Sequence, residues 1–150
     1  MRAELNDALK AAMRTKDACA VSTLRLILAA LKDRDIAART KGQTDGVGDD
    51  EILDMLQKMV RQRRDSIALY EKGGRRDLAE KEAAEIEVIE RFLPKQLGEA
   101  ETAEAVDKAI EEIGAESIKD MGRIMAALKE RYAGRMDFAK ASGLVKERLG

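Results

Sequence analysis

One proline, Pro94, stands in this chain, and the apolar residues on both sides of it recur at intervals of three and four. These two facts constrain the fold more than any other feature. A proline inside a helix breaks or kinks it, so a chain with only one leaves long stretches free to be helical. Three-and-four spacing then sets the apolar side chains on one face of each helix. Composition agrees, with 38% of residues charged, 3% aromatic, and aliphatic side chains supplying nearly all the apolar surface. A sheet would ask for more β-branched and aromatic residues. The expected fold class is all-α: an N-terminal helical bundle or long helical hairpin over residues 1–93, a linker at 94–98, and a small three-helix domain over 99–150.

Leu5, Ala8, Leu9, Ala12 and Met13 define a first helix over about 2–15. A second runs from Ala18 toward Ala38, with Val21, Leu24, Ile27, Leu28, Leu31 and Ile36 expected inside. KGQTDGVG, 41–48, holds three glycines and no large apolar residue and reads as a mobile loop. No strand precedes it and no Gly-Lys-Ser/Thr follows, so it is not a phosphate loop. Asp49 and Asp50 suit the N-cap and first turn of a third helix, which carries Ile52, Met55, Leu56, Met59, Val60, Ile67 and Tyr70 and stops at Gly73-Gly74. The fourth, about 76–92, ends because Pro94 disfavours helical geometry at Leu93. Beyond it the spacing predicts helices over 99–113, from Ser117 to Tyr132, and over 138–149, with Ser117 and Asp120 placed as a short-armed capping box. A lobe of this size buries little surface by itself.

The chain contains no histidine. That removes the commonest general base, every Ser/His/Asp or Cys/His device and the usual transition-metal ligand. Cys19 is the only cysteine, so there is neither an intramolecular disulfide nor a thiolate zinc site, and its alanine neighbours suit a small core residue. The carboxylates of Glu80, Glu82, Glu85, Glu87 and Glu90 form a solvated stripe rather than a catalytic pair. Catalysis by this chain alone is not expected, and neither is a metal or a cofactor. The opening segment is charged throughout and unlike a signal peptide. The longest nearly uncharged run, Leu26 to Leu31, falls far short of the ~20 residues of a membrane span. No membrane role is expected, and a reducing cytoplasm is the expected compartment.

Net charge is -1, but it is unevenly spread. Residues 1–42 carry +4, 43–98 carry -3, 99–120 carry -6 and 121–150 carry +4. Local fields rather than net charge steer charged partners. On the third helix Lys58, Arg61, Arg63 and Arg64 cluster over two turns. Near the C-terminus Arg123, Lys129, Arg131, Arg135, Lys140, Lys146 and Arg148 spread over two helices and the Gly134 joint between them. Two readings of these clusters stand: solvated helix faces with acidic partners, or surfaces that neutralise phosphates. With Tyr132 and Phe138 the only aromatics in that half, base stacking is weak. Shape or backbone recognition of a structured RNA is then the better match to the second reading. Arg63-Arg64-Asp65-Ser66 has the pattern of a basophilic kinase site, discounted because it lies within a helix.

QRRDSIALYEKGGRRDLAEKEAAEIEVIERFLPKQL (62–97) and MGRIMAALKERYAGRMDFAKASGLVKERL (121–149), together with STLRLILAALKDRDI (22–36), resemble the GatB/YqeY family of small stand-alone bacterial proteins. The resemblance covers essentially the whole chain and implies an N-terminal helical domain followed by a three-helix domain. That small domain is similar to the C-terminal tail of the B subunit of the glutamine-dependent aspartyl/glutamyl-tRNA amidotransferase, which contacts the tRNA body while other parts do the chemistry. Carried over by resemblance, Gly122 and Gly134 would allow a close approach or a turn, and Lys129, Arg135 and Lys146 would face phosphate. Met125, Leu144 and Leu149 would pack. Met136-Asp137-Phe138 departs from the family pattern of a small residue, Asp or Asn, then Gly or Pro. Gly98 stands where a serine N-cap is common.

The resemblance implies a non-catalytic tRNA-binding or tRNA-enzyme accessory module, with tRNA or a tRNA-processing enzyme as partner and no DNA. One alternative is a protein-interaction adaptor using the acidic helix 99–113 and exposed methionines. Another is a component of a carbon-nitrogen ligase with glutamine as amido-N-donor, its catalytic parts on other chains.

Overall fold

The computed structural model describes residues 1–150, and every regular element is helical. The chain divides into two compact units, Met1–Pro94 and Lys95–Gly150. In the first, α1 (Arg2–Thr15) turns through Lys16, whose φ of 58° is left-handed, into α2 (Ala18–Thr40). Asp17 caps α2, its carboxylate accepting from the Ala20 N–H at 3.1 Å. After a connecting loop, α3 (Asp49–Lys72) opens with Asp49, Asp50 and Glu51 in its first turn, where acids favour the N-terminal dipole. Gly73 and Gly74 close it, and α4 (Arg76–Glu90) returns along it as the most extensive helix pair in the protein. α1 packs only on α2, and α2 in turn packs on α4 and, more lightly, on α3. Leu5, Leu24, Ile27, Ile52, Leu56 and Ile89 are fully buried in the shared core.

Two expectations are corrected here. Ile36, placed inside by its apolar character, is 49% exposed. It lies nine residues from the buried Ile27, two and a half turns of helix, and so points to the opposite side. The loop 41–48, read as mobile, is tied at both ends. Gln43 donates its backbone N–H to Ala38 O at 3.0 Å, and its side-chain amide reaches Gly46 O at 2.9 Å. Beyond this, the Arg2 guanidinium grips both oxygens of Asp35 at 2.7 Å and donates to Val47 O at 2.9 Å, while the Val47 N–H donates to Asp35 at 2.9 Å. Val47 is buried beneath this clasp. Gly46 has a φ of 85°, and a Cβ there would meet Arg2 Nη2 at 2.7 Å, so both backbone and space require glycine.

The second unit contains α5 (Glu99–Ile113), a 3-10 turn (Ile118–Asp120) leading into α6 (Met121–Arg131), and α7 (Phe138–Leu149). Each helix packs on the other two. Lys140 pairs with Glu99 and Arg148 with Asp107, so both partners advance by eight residues and α7 runs parallel to α5. Val106, Ile124, Leu128, Met136, Ala141 and Val145 form its core. Ser117 and Asp120 cap the 3-10 turn: the Ser117 hydroxyl accepts from the Lys119 N–H, and the Asp120 carboxylate accepts from the Glu116 N–H at 3.1 Å.

The Arg2 hydrogen bonds, then the Val47 N–H, hold the Asp35 carboxyl at about 2, below its ordinary 3.8. A depressed carboxyl contributes stability that is complete above its unfolded pKa and is lost as pH falls through the folded one. Asp35→Asn is therefore less stable than the parent by a constant margin above about pH 5, and the margin narrows as pH falls toward 2. Urea denaturation across that range checks it.

Candidate nucleic-acid interface

The basic side chains that the sequence offered for phosphate contact fall into four groups. In the first unit, Lys58 pairs with Asp54 one turn earlier at 3.2 Å, and Arg64 reaches across to Glu90 of α4 at 3.1 Å. Arg61 is exposed on α3 between them. Arg63 is largely buried, bonded to Glu85 at 3.0 Å and to Met59 O at 3.2 Å, and serves as a rivet between α3 and α4. The α3 cluster is thus threaded with acidic partners.

In the second unit the acid-rich α5 and the base-rich α6 and α7 neutralise one another. Arg131 pairs with Glu112 at 2.6 Å, Lys140 with Glu99 at 3.7 Å, and Arg148 with Asp107. Arg123 pairs with Asp120 at 3.0 Å, and Asp120 is held below the usual carboxylate range chiefly by the Glu116 N–H. Four acids of 99–120 thus pair with bases of 121–150, while Glu101, Glu104, Glu111 and Glu116 stay exposed. That arrangement also engages α5, the acidic helix of the adaptor reading. The methionines of this unit sit inward, with Met121 and Met125 half-buried and Met136 fully buried.

Gly134 and Arg135 form a clasp. Gly134 is buried with a φ of 76°, a conformation that costs an L side chain about 1–2 kcal/mol. Its carbonyl accepts from the Gln96 side chain at 2.5 Å, and Arg135 O accepts from the Leu97 N–H at 2.8 Å. The Arg135 Nε–H in turn donates to Lys95 O at 3.1 Å. The corner read as facing phosphate therefore binds segment 95–97 to the end of α6. Met136 drops into the core, and the Asp137 carboxylate caps α7 by accepting from the Ala139 and Lys140 N–H groups at 3.0 and 3.3 Å. Phe138 is half-buried against the same core. Met136-Asp137-Phe138, the family departure, thus supplies an anchor and a cap, roles that sequence reasoning missed.

Lys129 and Lys146 remain exposed and form no ion pair, unlike the four basic neighbours just described. Gly122, Ala126 and Lys129 share one exposed side of α6, since residues four and seven apart fall within a narrow arc. Ala139, Gly143 and Lys146 repeat that spacing on α7, also exposed. A Cβ at Gly122 or at Gly143 would meet nothing within 4 Å, and neither has a positive φ. Gly122 is thus neither a turn residue nor a packing requirement within the unit. Gly143 was not singled out from the sequence, although the shared spacing of four and three was there to be read. Met125, Leu144 and Leu149 pack against the core. No group of three or more acidic or cysteine side chains is placed to hold a metal ion, and no helix is long and apolar enough to cross a membrane.

Comparison with known proteins gives a family. The profile described as Yqey-like protein matches residues 2–149. Similar relatives are named "Altered inheritance of mitochondria protein 41, mitochondrial". The one from Candida glabrata is 40% identical over 103 residues, covering 69% of this chain and 54% of the relative. That from Kluyveromyces lactis is 38% identical over 90 residues, 60% of this chain and 46% of the relative. That from Pyrenophora tritici-repentis is 33% identical over 128 residues, 82% and 68%. The chain spans about half the length of the first two. These names overturn the expectation of a cytoplasmic protein, and the fungal sources do not bear out a bacterial one. A lone cysteine and a charged first helix suit any reducing compartment and name none.

The two kinds of glycine separate under substitution. Gly134→Ala lowers stability by about 1–2 kcal/mol through its left-handed backbone, whereas Gly122→Ala leaves it unchanged or raises it by about 0.5–1 kcal/mol. Equilibrium urea unfolding distinguishes them.

Proposed function

The chain belongs to the Yqey-like protein family, and on that premise we propose that its second unit is a non-catalytic module that docks a structured RNA, tRNA by family resemblance, on the outer sides of α6 and α7. The observation that carries this reading is the repeated pattern of two small residues and an unpaired lysine, 122/126/129 and 139/143/146. A glycine inside a helix costs about 0.5–1 kcal/mol relative to alanine. Nothing inside the unit offsets that cost at Gly122 or Gly143. A bare helix side beside an unpaired ammonium suits a bulky polyanion whose backbone must come close. The lysines supply phosphate charge and counterion release, and the small residues let ribose and phosphate approach the helix. The scarcity of aromatics near these faces suits recognition of shape rather than of unstacked bases. Without histidine and without a catalytic carboxylate pair, the chain holds and positions its RNA, and chemistry falls to other proteins.

Filter-binding titration with bulk tRNA at two salt concentrations tests the reading. Binding is expected to weaken with salt, and Lys129→Glu/Lys146→Glu is expected to weaken it about tenfold or more and to flatten the salt dependence by roughly two phosphate contacts. Salt-insensitive binding, or equal binding by the double variant, refutes it.

A further inference from the structure

We propose that the outer face of α2 is a docking surface for an acidic amphipathic helix of a partner protein. α2 is apolar on two sides. Leu24, Ile27 and Leu31 face the core, yet on the opposite side Ser22, Leu26, Ala29, Asp33, Ile36 and Thr40 follow at alternating intervals of four and three. That is the spacing of a helix-pairing seam. All six are exposed, and Leu26 and Ile36 are each 49% so. Met13 of α1, 47% exposed, extends the stripe, its Sδ 3.9 Å from the Arg25 guanidinium. The first unit has its core elsewhere and does not use these side chains.

Charge selects what covers the stripe. Arg25, Lys32 and Arg39 stand seven residues apart along one edge, all exposed, and only Arg39 has a carboxylate near enough to feel its charge, Asp35 one turn earlier. Ala30 and Ala37 line the other edge. Three like charges in a row call for an acidic row opposite, and the aliphatic seam calls for apolar residues at three-and-four spacing. Asp33 within the seam sets register by favouring a lysine or arginine across from it.

A second copy of the face fits poorly, because antiparallel pairing opposes the basic edges and parallel pairing sets them against alanines. The acid-rich α4 and α5 of another copy present no exposed large apolar residue. An RNA leaves the Leu26–Ile36 stripe unused, and a bilayer would have to take up Asp33. The inference accounts for the +4 of residues 1–42 and stands independently of RNA docking by the second unit.

The probe is a fluorescein-labelled helical peptide with leucines at three-and-four spacing, glutamates along one flank and one lysine opposite Asp33. Its anisotropy is followed on titration with the full chain. Saturable binding is expected at low salt, weakened about tenfold by Arg25→Glu/Lys32→Glu/Arg39→Glu, as three exposed ion pairs together imply. Asp33→Lys is expected to shift preference to the peptide whose lysine is replaced by glutamate, a rescue that a misfolded variant would not give. Absence of saturable binding, or equal binding of a peptide with a lysine flank, overturns the proposal. So does binding of phosphatidylglycerol vesicles or bulk tRNA that the same triple charge reversal abolishes, because that assigns the face to lipid or nucleic acid.

Discussion

The first unit depends on the apolar seam between α2 and α4, which joins the α1–α2 pair to the α3–α4 pair. The backbone of α1 neighbours α2 alone, and Arg2 adds a hydrogen bond to Val47 beyond it. Burial of a Leu or Ile side chain is worth about 1.5–3 kcal/mol, while an exposed ion pair is worth about 0.2–1 kcal/mol. Leu24, Ile27 and Ile89 therefore hold the unit together, and pairs such as Arg64–Glu90 adjust its surface. The Arg2–Asp35–Val47 clasp differs from those surface pairs because it closes on backbone as well as on charge. By taking both the N–H and the C=O of Val47, it fixes where the loop delivers the first turn of α3.

In the second unit ion pairs line the outside of helices that an apolar core holds together. Glu99–Lys140 and Asp107–Arg148 bridge the parallel α5 and α7, and Glu112–Arg131 bridges α5 to the end of α6. Acidic and basic blocks in the sequence are thus internal complements first. Lys129 and Lys146 are the members of the C-terminal basic cluster that stand outside those pairs and outside the Arg135 clasp.

The helices were legible because three-and-four periodicity is a local property, and every apolar run between breaks found a face to bury. Helix ends were legible for the same reason, since Gly73 and Ser117 act within a turn of their own position. What stayed hidden depended on residues far apart in the chain. The Arg135–Lys95 hydrogen bond stayed hidden because its partner lies forty residues earlier, where spacing does not reach. The loop at Val47 looked mobile because the Arg2 and Asp35 that hold it lie in separate helices. Ile36 looked like core because apolar character says that a side chain seeks cover without saying which cover it finds.

That last ambiguity runs through both surfaces to which function is assigned. A glycine is informative when neither its backbone angle nor its neighbours demand it, and an aliphatic residue is informative when its own core lies on the other side. Gly46 and Gly134 are accounted for by a positive φ and by what touches them. Gly122 and Gly143 are not, and neither are Leu26 and Ile36. On the proposed reading, a helix that keeps a bare side beside a free lysine suits a rigid, charged object that must come close. One that keeps aliphatic side chains beside a basic row is shaped for something that can bury them. The two surfaces therefore differ in what they exclude: the first tolerates no added side chain at the point of approach, and the second no loss of apolar area. On the two proposals, salt would weaken the first through nearly all of its binding energy and the second only through its edge.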